Sequence, residues 1–252
     1  MSGGAGIRPV PLAVCTDDGV RLTGVRFGIP SAIAFVVGHG FCGSWRSVVP
    51  IAQKLAVRGS VYALDFRGHG DSGGRSTLGN FEAFDVRAVV ALAREECGPA
   101  ARVVTIGASM GAIAVLREAA YFASSDAVVS ISAPATWTGQ KRRARLLGML
   151  VTSSLGRAVA SRFFSTQVEP EWMWPPAPVE LVPLISKPLL FVHGATDRFV
   201  RPTEARLLNA AAGKLGSLRV IARYGHAEAG FDERVVALID REIGLLTARA
   251  PV

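Results

Sequence analysis

Six short apolar runs set the main constraint on this chain. SAIAFVVG, SVYALDF, ARVVTIG, DAVVSIS, KPLLFVHG and SLRVIAR are rich in β-branched residues, and longer stretches with helical spacing, such as FEAFDVRAVVALAREE and RPTEARLLNAAA, separate them. A strand that is apolar on both faces has to be covered on both faces. Alternation of such strands with helices therefore predicts an α/β fold, a mostly parallel sheet between two layers of helices. Ahead of the runs, PLAVCTDDGVRLTGVRF reads as two strands around an Asp-Gly turn, which brings the sheet to about eight strands. A chain of 252 residues, half of them hydrophobic, can bury a large core as one domain.

One segment breaks the rhythm. Between Pro134 and Lys187 the chain holds KRRARLLGMLVTSSLGRAVASRFF and EWMWPPAPVELVPLI, with no clear strand, and that length is too great for a plain loop in a compact domain. The expected organisation is a core made of residues 1–134 and 187–252, with residues 135–186 as a helical cap inserted over the strand ends. Within the cap, Leu147, Leu150, Val151, Leu155, Ala158, Val159 and Phe163 can share one helical side, with Arg143, Arg145, Arg157 and Arg162 elsewhere on it. A lid packed over a site explains this stripe best, and peripheral contact with an anionic membrane is the alternative. Trp172 and Trp174, with Trp137 at the start of the segment, are the candidate substrate contacts.

The net charge of +8 comes mostly from arginines scattered along the chain, so it gives no continuous basic face and no recognition motif for nucleic acid. Cys15, Cys42 and Cys97 are odd in number and widely spaced, which argues against a disulfide framework and against a zinc site. The start, MSGGAGIRPVPLA, lacks an apolar core of signal-peptide length, and runs such as AIAFVV are far shorter than a membrane span. A cytoplasmic, unexported chain is the expectation.

The chemistry centres on GASMGA, Gly107 to Ala112, between the run ARVVTI and the helical stretch AIAVLREAAYFA. Glycines two residues before and two after Ser109 make a G-x-S-x-G elbow, a turn that lifts a serine hydroxyl off the end of a strand. The bare pattern arises by chance on the order of 0.2 times in a chain of this composition, so the strand-turn-helix context has to carry the assignment. A serine hydroxyl needs a base, and a histidine base needs a carboxylate to fix its tautomer. His226, in GHAEAG, follows the last expected strand, and Asp197, in HGATD, follows the one before it, so both belong at the C-terminal edge of the sheet with Ser109. Asp232 and Glu228 lie too near His226 in sequence to be preferred as its acid, although Glu228 can support it. The small-residue loop VVGHGFCGS suits an oxyanion site, for which the backbone amides of Phe41 and Met110 are the candidates. His39, His69 and His193, each in a strand-end turn, are expected to tie loops together.

These stretches carry a resemblance. HGF (His39 to Phe41), DFRGHGDS (Asp65 to Ser72), GASMGA, HGATD and GHAEAG together resemble the α/β-hydrolase superfamily, from about Val10 to Leu246. Within it they resemble the branch with monoacylglycerol-lipase-like, serine-aminopeptidase-like and dienelactone-hydrolase-like members. The resemblance implies Ser109 as nucleophile, His226 as base and Asp197 as acid. Two positions depart from the lipase-like pattern: Ala108 stands where those members often carry His, and Gly111-Ala112 replaces Gly-Gly. Haloalkane dehalogenases and epoxide hydrolases of this fold carry Asp at the elbow, and dienelactone hydrolases usually Cys, so Ser109 points away from all three. The expected function is a serine carboxylesterase acting on a small or medium acyl ester, with no metal or organic cofactor. The same triad would serve a thioesterase, an acyltransferase or a hydrolase of amide or C–C bonds, and a non-catalytic ligand-binding or membrane-peripheral member is the contrasting class.

Overall fold

The computed structural model describes residues 8–137, 153–171 and 173–248. A hairpin of β1 (Val10–Cys15) and β2 (Arg21–Phe27) opens the fold. The strands β3 (Ile33–Gly38), β4 (Ser60–Leu64), β5 (Arg102–Ala108), β6 (Ala127–Ile131), β7 (Leu189–Gly194) and β8 (Gly216–Ile221) follow, and all eight join one sheet in the order β1-β2-β4-β3-β5-β6-β7-β8. Only the pairings of β2 with β1 and with β4 are antiparallel. Each of the six apolar runs has become a strand in a mostly parallel sheet.

Helices cover both faces. α1 (Val49–Leu55) and α7 (Glu233–Ala248) bury Ile51, Leu55, Val235, Ile239 and Ile243 against Phe35, Val37, Ile106 and Val129 of the sheet. On the opposite face α2 (Glu82–Cys97), α3 (Met110–Tyr121) and α6 (Pro202–Ala212) pack Val86, Val90, Leu116 and Leu208 onto Ala34, Val36, Val103, Val128 and Phe191. In β3 successive residues serve the two cores in turn, which is why its sequence is apolar without interruption. Truncating one of these buried aliphatics to Ala costs about 2–5 kcal/mol.

Between β6 and β7 the described residues include α4 (Ser154–Phe164) and the short α5 (Pro178–Leu181). Ser153 caps α4 by accepting the Gly156 amide at 3.0 Å. The chain leaving α4 is stitched into the loop after β4. Gln167 N–H donates to the Gly68 carbonyl at 2.6 Å, Ser76 N–H to that of Gln167 at 2.8 Å, and Glu169 N–H to that of Ser76 at 2.9 Å. These bonds, with short β-bridges from His69 to Thr166 and from Ser76 to Val168, put extended backbone in a segment whose sequence carries no strand signal. KRRAR (Lys141 to Arg145), Leu147, Leu150 and Val151 lie outside the described residues, as does Trp172. Of the apolar stripe, Leu155, Val159 and Phe163 are exposed, while Ala160 on another side of α4 is buried against Phe41.

Candidate active site

The elbow is built by close packing. A Cβ on Gly107 would collide with the Gly111 carbonyl, and one on Gly111 would stand 2.6 Å from the His39 carbonyl oxygen. Glycine at both positions lets the turn fold back on β5 and lets α3 start against the end of β3. Between them Ser109 takes φ 53° and ψ −109°, in the sparsely populated region that a non-glycine residue holds only when its surroundings impose it. Its own amide is anchored to the Ile131 carbonyl at 2.8 Å.

Three side chains expected together are together. Ser109 Oγ lies 2.9 Å from His226 Nε2, and His226 Nδ1 lies 2.7 Å from Asp197 Oδ2. An ionised Asp197 only accepts, so Nδ1 carries the ring proton and Nε2 is left to accept the serine hydroxyl. The other oxygen of Asp197 takes the amides of Phe199 at 2.8 Å and Val200 at 2.9 Å. Burial pushes the Asp197 carboxyl up, but the hydrogen bond and charge of His226, with these two amides, outweigh it and hold the group below the usual carboxylate range.

The loop that carries His226 is fixed on several sides. Tyr224 Oη, buried, donates to the Ala227 carbonyl at 2.8 Å, and the Ala227 amide donates to Ser132 Oγ at 3.1 Å. Both Ala227 and Ser132 have positive φ, 47° and 56°. The phenyl ring of Phe199 leans on the imidazole, with centroids 5.0 Å apart and planes at 45°.

Phe41 stands in the loop after β3. The amides on either side of it are committed: Gly40 N–H donates to Glu228 Oε1 at 2.6 Å, Cys42 N–H to His69 Nε2 at 3.3 Å and Gly43 N–H to the Gly40 carbonyl at 3.0 Å. His39 is fully buried, accepts the Phe66 amide at Nε2 (3.1 Å) and donates from Nδ1 to the Gly40 carbonyl (2.7 Å). Burial, with the neighbouring His69, pushes its pKa down to about 3, so it stays neutral and keeps that tautomer. His69 and His193 are likewise lowered by burial. All three bind strand-end loops, the part expected of them.

The remaining sequence candidates fall as follows. Met110 opens α3 next to Ser109, buried. Asp232 accepts the Val235 amide at 2.7 Å and starts α7, while the carboxylate bound to His226 Nδ1 is that of Asp197. Trp137 donates from its indole to the Pro175 carbonyl at 2.7 Å, and Trp174 is 74% exposed with φ 45°. Nothing in the sequence marked Phe199, Tyr224 and Ser132: an exposed aromatic, a buried tyrosine and a turn serine have no signature until the fold places them beside His226 and its loop. Among the described residues no group of three or more His, Cys, Asp and Glu is placed to hold a metal ion.

Residues 30–174 match the family described as serine aminopeptidase, S33. The chain belongs to this family. It is an α/β hydrolase, and solved structures of that fold superpose on it. An esterase of Pyrococcus furiosus aligns with a TM-score of 0.75 at 23% identity over 98% of this chain and 92% of that one. The esterase domain of a Rhodothermus marinus protein aligns at 0.67 and 21% identity over 94% and 97%. A membrane phospholipase A from a bacterium gives 0.73 and 19% over 97% and 88%. At such identities the likeness carries the S33 member's fold and no more. A search of curated proteins returns no match. No described helix of this S33 hydrolase is long and apolar enough to cross a membrane.

Proposed function

We propose that the chain is a serine carboxylesterase that cleaves small or medium acyl esters through an acyl-enzyme on Ser109. The observation that carries the proposal is the unbroken run from Ser109 Oγ through the His226 ring to Asp197 Oδ2, starting at a serine held in strained backbone. In this reading the ester carbonyl is attacked by Ser109 Oγ as His226 Nε2 takes the hydroxyl proton. Asp197 holds the imidazole in the required tautomer and stabilises the imidazolium that forms. The amides of Phe41 and Met110 receive the oxyanion, the one from the loop after β3 and the other from the first residue of α3. The imidazolium returns its proton to the departing alkoxide, and water then repeats the sequence to release the acid. Residues 135–186 act as the cap, with α4 resting through Ala160 on Phe41.

An ester is preferred because two of the structural relatives are named esterases. The family description makes an amide the alternative. The test is initial rates on p-nitrophenyl esters from acetate to palmitate and on the matching p-nitroanilides, for the wild type, Ser109→Ala and His226→Ala. Ester turnover lost in both variants supports the proposal, and turnover of the anilides alone would replace it with an amidase.

The exposed Leu155, Val159 and Phe163 on α4, with Arg157 and Arg162 in the same helix, favour a second reading in which the cap touches an anionic membrane while the site works. Co-sedimentation with anionic vesicles tests it, and a chain that stays in the supernatant ends it.

A further inference from the structure

Glu228 lies two residues after His226, in the 3-10 turn Ala227–Gly230. Its Oε1 reaches across the sheet edge to accept the Gly40 amide at 2.6 Å, and its Oε2 is buried with no hydrogen-bond partner in the structure. Burial pushes this carboxyl above the usual glutamate range, although the Gly40 amide and His226 pull the other way. A buried carboxyl with an oxygen left unpaired is costly, and packing alone would be served better by an apolar side chain.

The partner position is fitted to it. A Cβ on Gly40 would stand 2.8 Å and 3.1 Å from the two carboxyl oxygens, so glycine there leaves the space that Glu228 fills. Gly40 is thereby gripped at both ends, its N–H by Glu228 and its carbonyl by His39 Nδ1 and the Gly43 amide. That carbonyl shares a peptide plane with the Phe41 N–H and points opposite to it. Without these bonds a glycine would leave the direction of the Phe41 amide to a soft pair of dihedrals.

We propose that Glu228 is a positioning residue of the acyl-transfer machinery, clamping the Gly40 amide so that the loop carrying the Phe41 oxyanion donor keeps a fixed geometry relative to the loop carrying His226. The proposal rests on the serine-hydrolase reading above. A clamp of this kind acts on the charge that develops in the transition state, so its loss appears in kcat and leaves KM nearly unchanged.

The experiment uses the full chain with Glu228→Gln, Glu228→Ala, Gly40→Ala and the double Ala variant, on the best p-nitrophenyl ester, with thermal melts and fluorophosphonate labelling of Ser109. Gln keeps an oxygen to accept the Gly40 amide and is expected to hold kcat within about threefold. Ala at either position is expected to lower kcat roughly 10- to 100-fold at unchanged KM, less than outright loss of an oxyanion donor. The double variant should be no worse than the poorer single one, since both remove the same bond. Wild-type kcat in Glu228→Ala, or an equal loss in Gln and Ala, overturns the clamp. Should Glu228→Ala fail to fold, full kcat in a folded Gly40→Ala overturns it instead. A wild type that neither hydrolyses esters nor labels at Ser109 overturns the serine-hydrolase reading and the clamp with it.

Discussion

Phe199 packs its ring on His226 with centroids 5.0 Å apart, and its own amide is bound by Asp197, whose other oxygen meets His226 Nδ1. One residue therefore touches both partners of the proposed base. Aromatic contacts of this sort contribute about 0.5–1.5 kcal/mol. Phe199→Ala is expected to lower kcat/KM roughly 2- to 13-fold on the preferred ester. Steady-state kinetics across chain lengths checks it, and a fall that grows with acyl length marks the ring as part of the substrate wall too.

Asp197→Asn keeps the shape of the site and reverses its hydrogen bonding. An amide nitrogen facing His226 Nδ1 would move the ring proton to Nε2, the atom that has to accept from Ser109. A kcat loss on the order of 10⁴-fold is expected, the size that this tautomer error carries in a serine protease triad. An Asn variant within tenfold of wild type would remove Asp197 from the mechanism.

The same acid has a signature in stability. Its folded-state pKa lies below the unfolded value of about 3.9, so ionised Asp197 stabilises the fold above that value, and the contribution is lost as pH falls through the folded pKa. Thermal melts of the wild type and Asp197→Asn are expected to differ by a constant margin above about pH 5 and to converge in more acid solution. A margin that widens toward acid would show the sign to be wrong.

Tyr224→Phe removes the donor that satisfies the Ala227 carbonyl next to His226. Leaving that buried acceptor unpaired is expected to cost about 1–3 kcal/mol, read as a lower melting temperature, and to lower kcat by loosening the histidine loop. A variant that melts and reacts like the wild type would mean that Ser132 and Glu228 hold the loop without it.

Most of the architecture, and the meeting of Ser109, His226 and Asp197 at one sheet edge, were legible in the sequence, for separable physical reasons. β-branched runs that are apolar on both faces leave a chain little choice but a covered parallel sheet, and all six became strands. Ser109, Asp197 and His226 each follow a strand, so their convergence at one edge comes from the parallel topology itself. The crossing that puts β4 between β2 and β3 was not legible, since it depends on how right-handed connections pack around the first helix. Nor was the pairing of Gly40 with Glu228, which lies in no motif and exists only because β3 and the last loop end side by side. The return chain at Thr166 to Glu169 joins the loop after β4 through backbone bonds, which leave little trace in side-chain pattern.

Peptide mapping after treatment with a fluorophosphonate tests the proposed nucleophile most directly. The wild type is expected to carry one adduct on the peptide containing Ser109, His226→Ala to acquire it far more slowly, and Ser109→Ala to acquire none there. An adduct on another residue, or no adduct on folded wild-type protein, would contradict acyl transfer through Ser109.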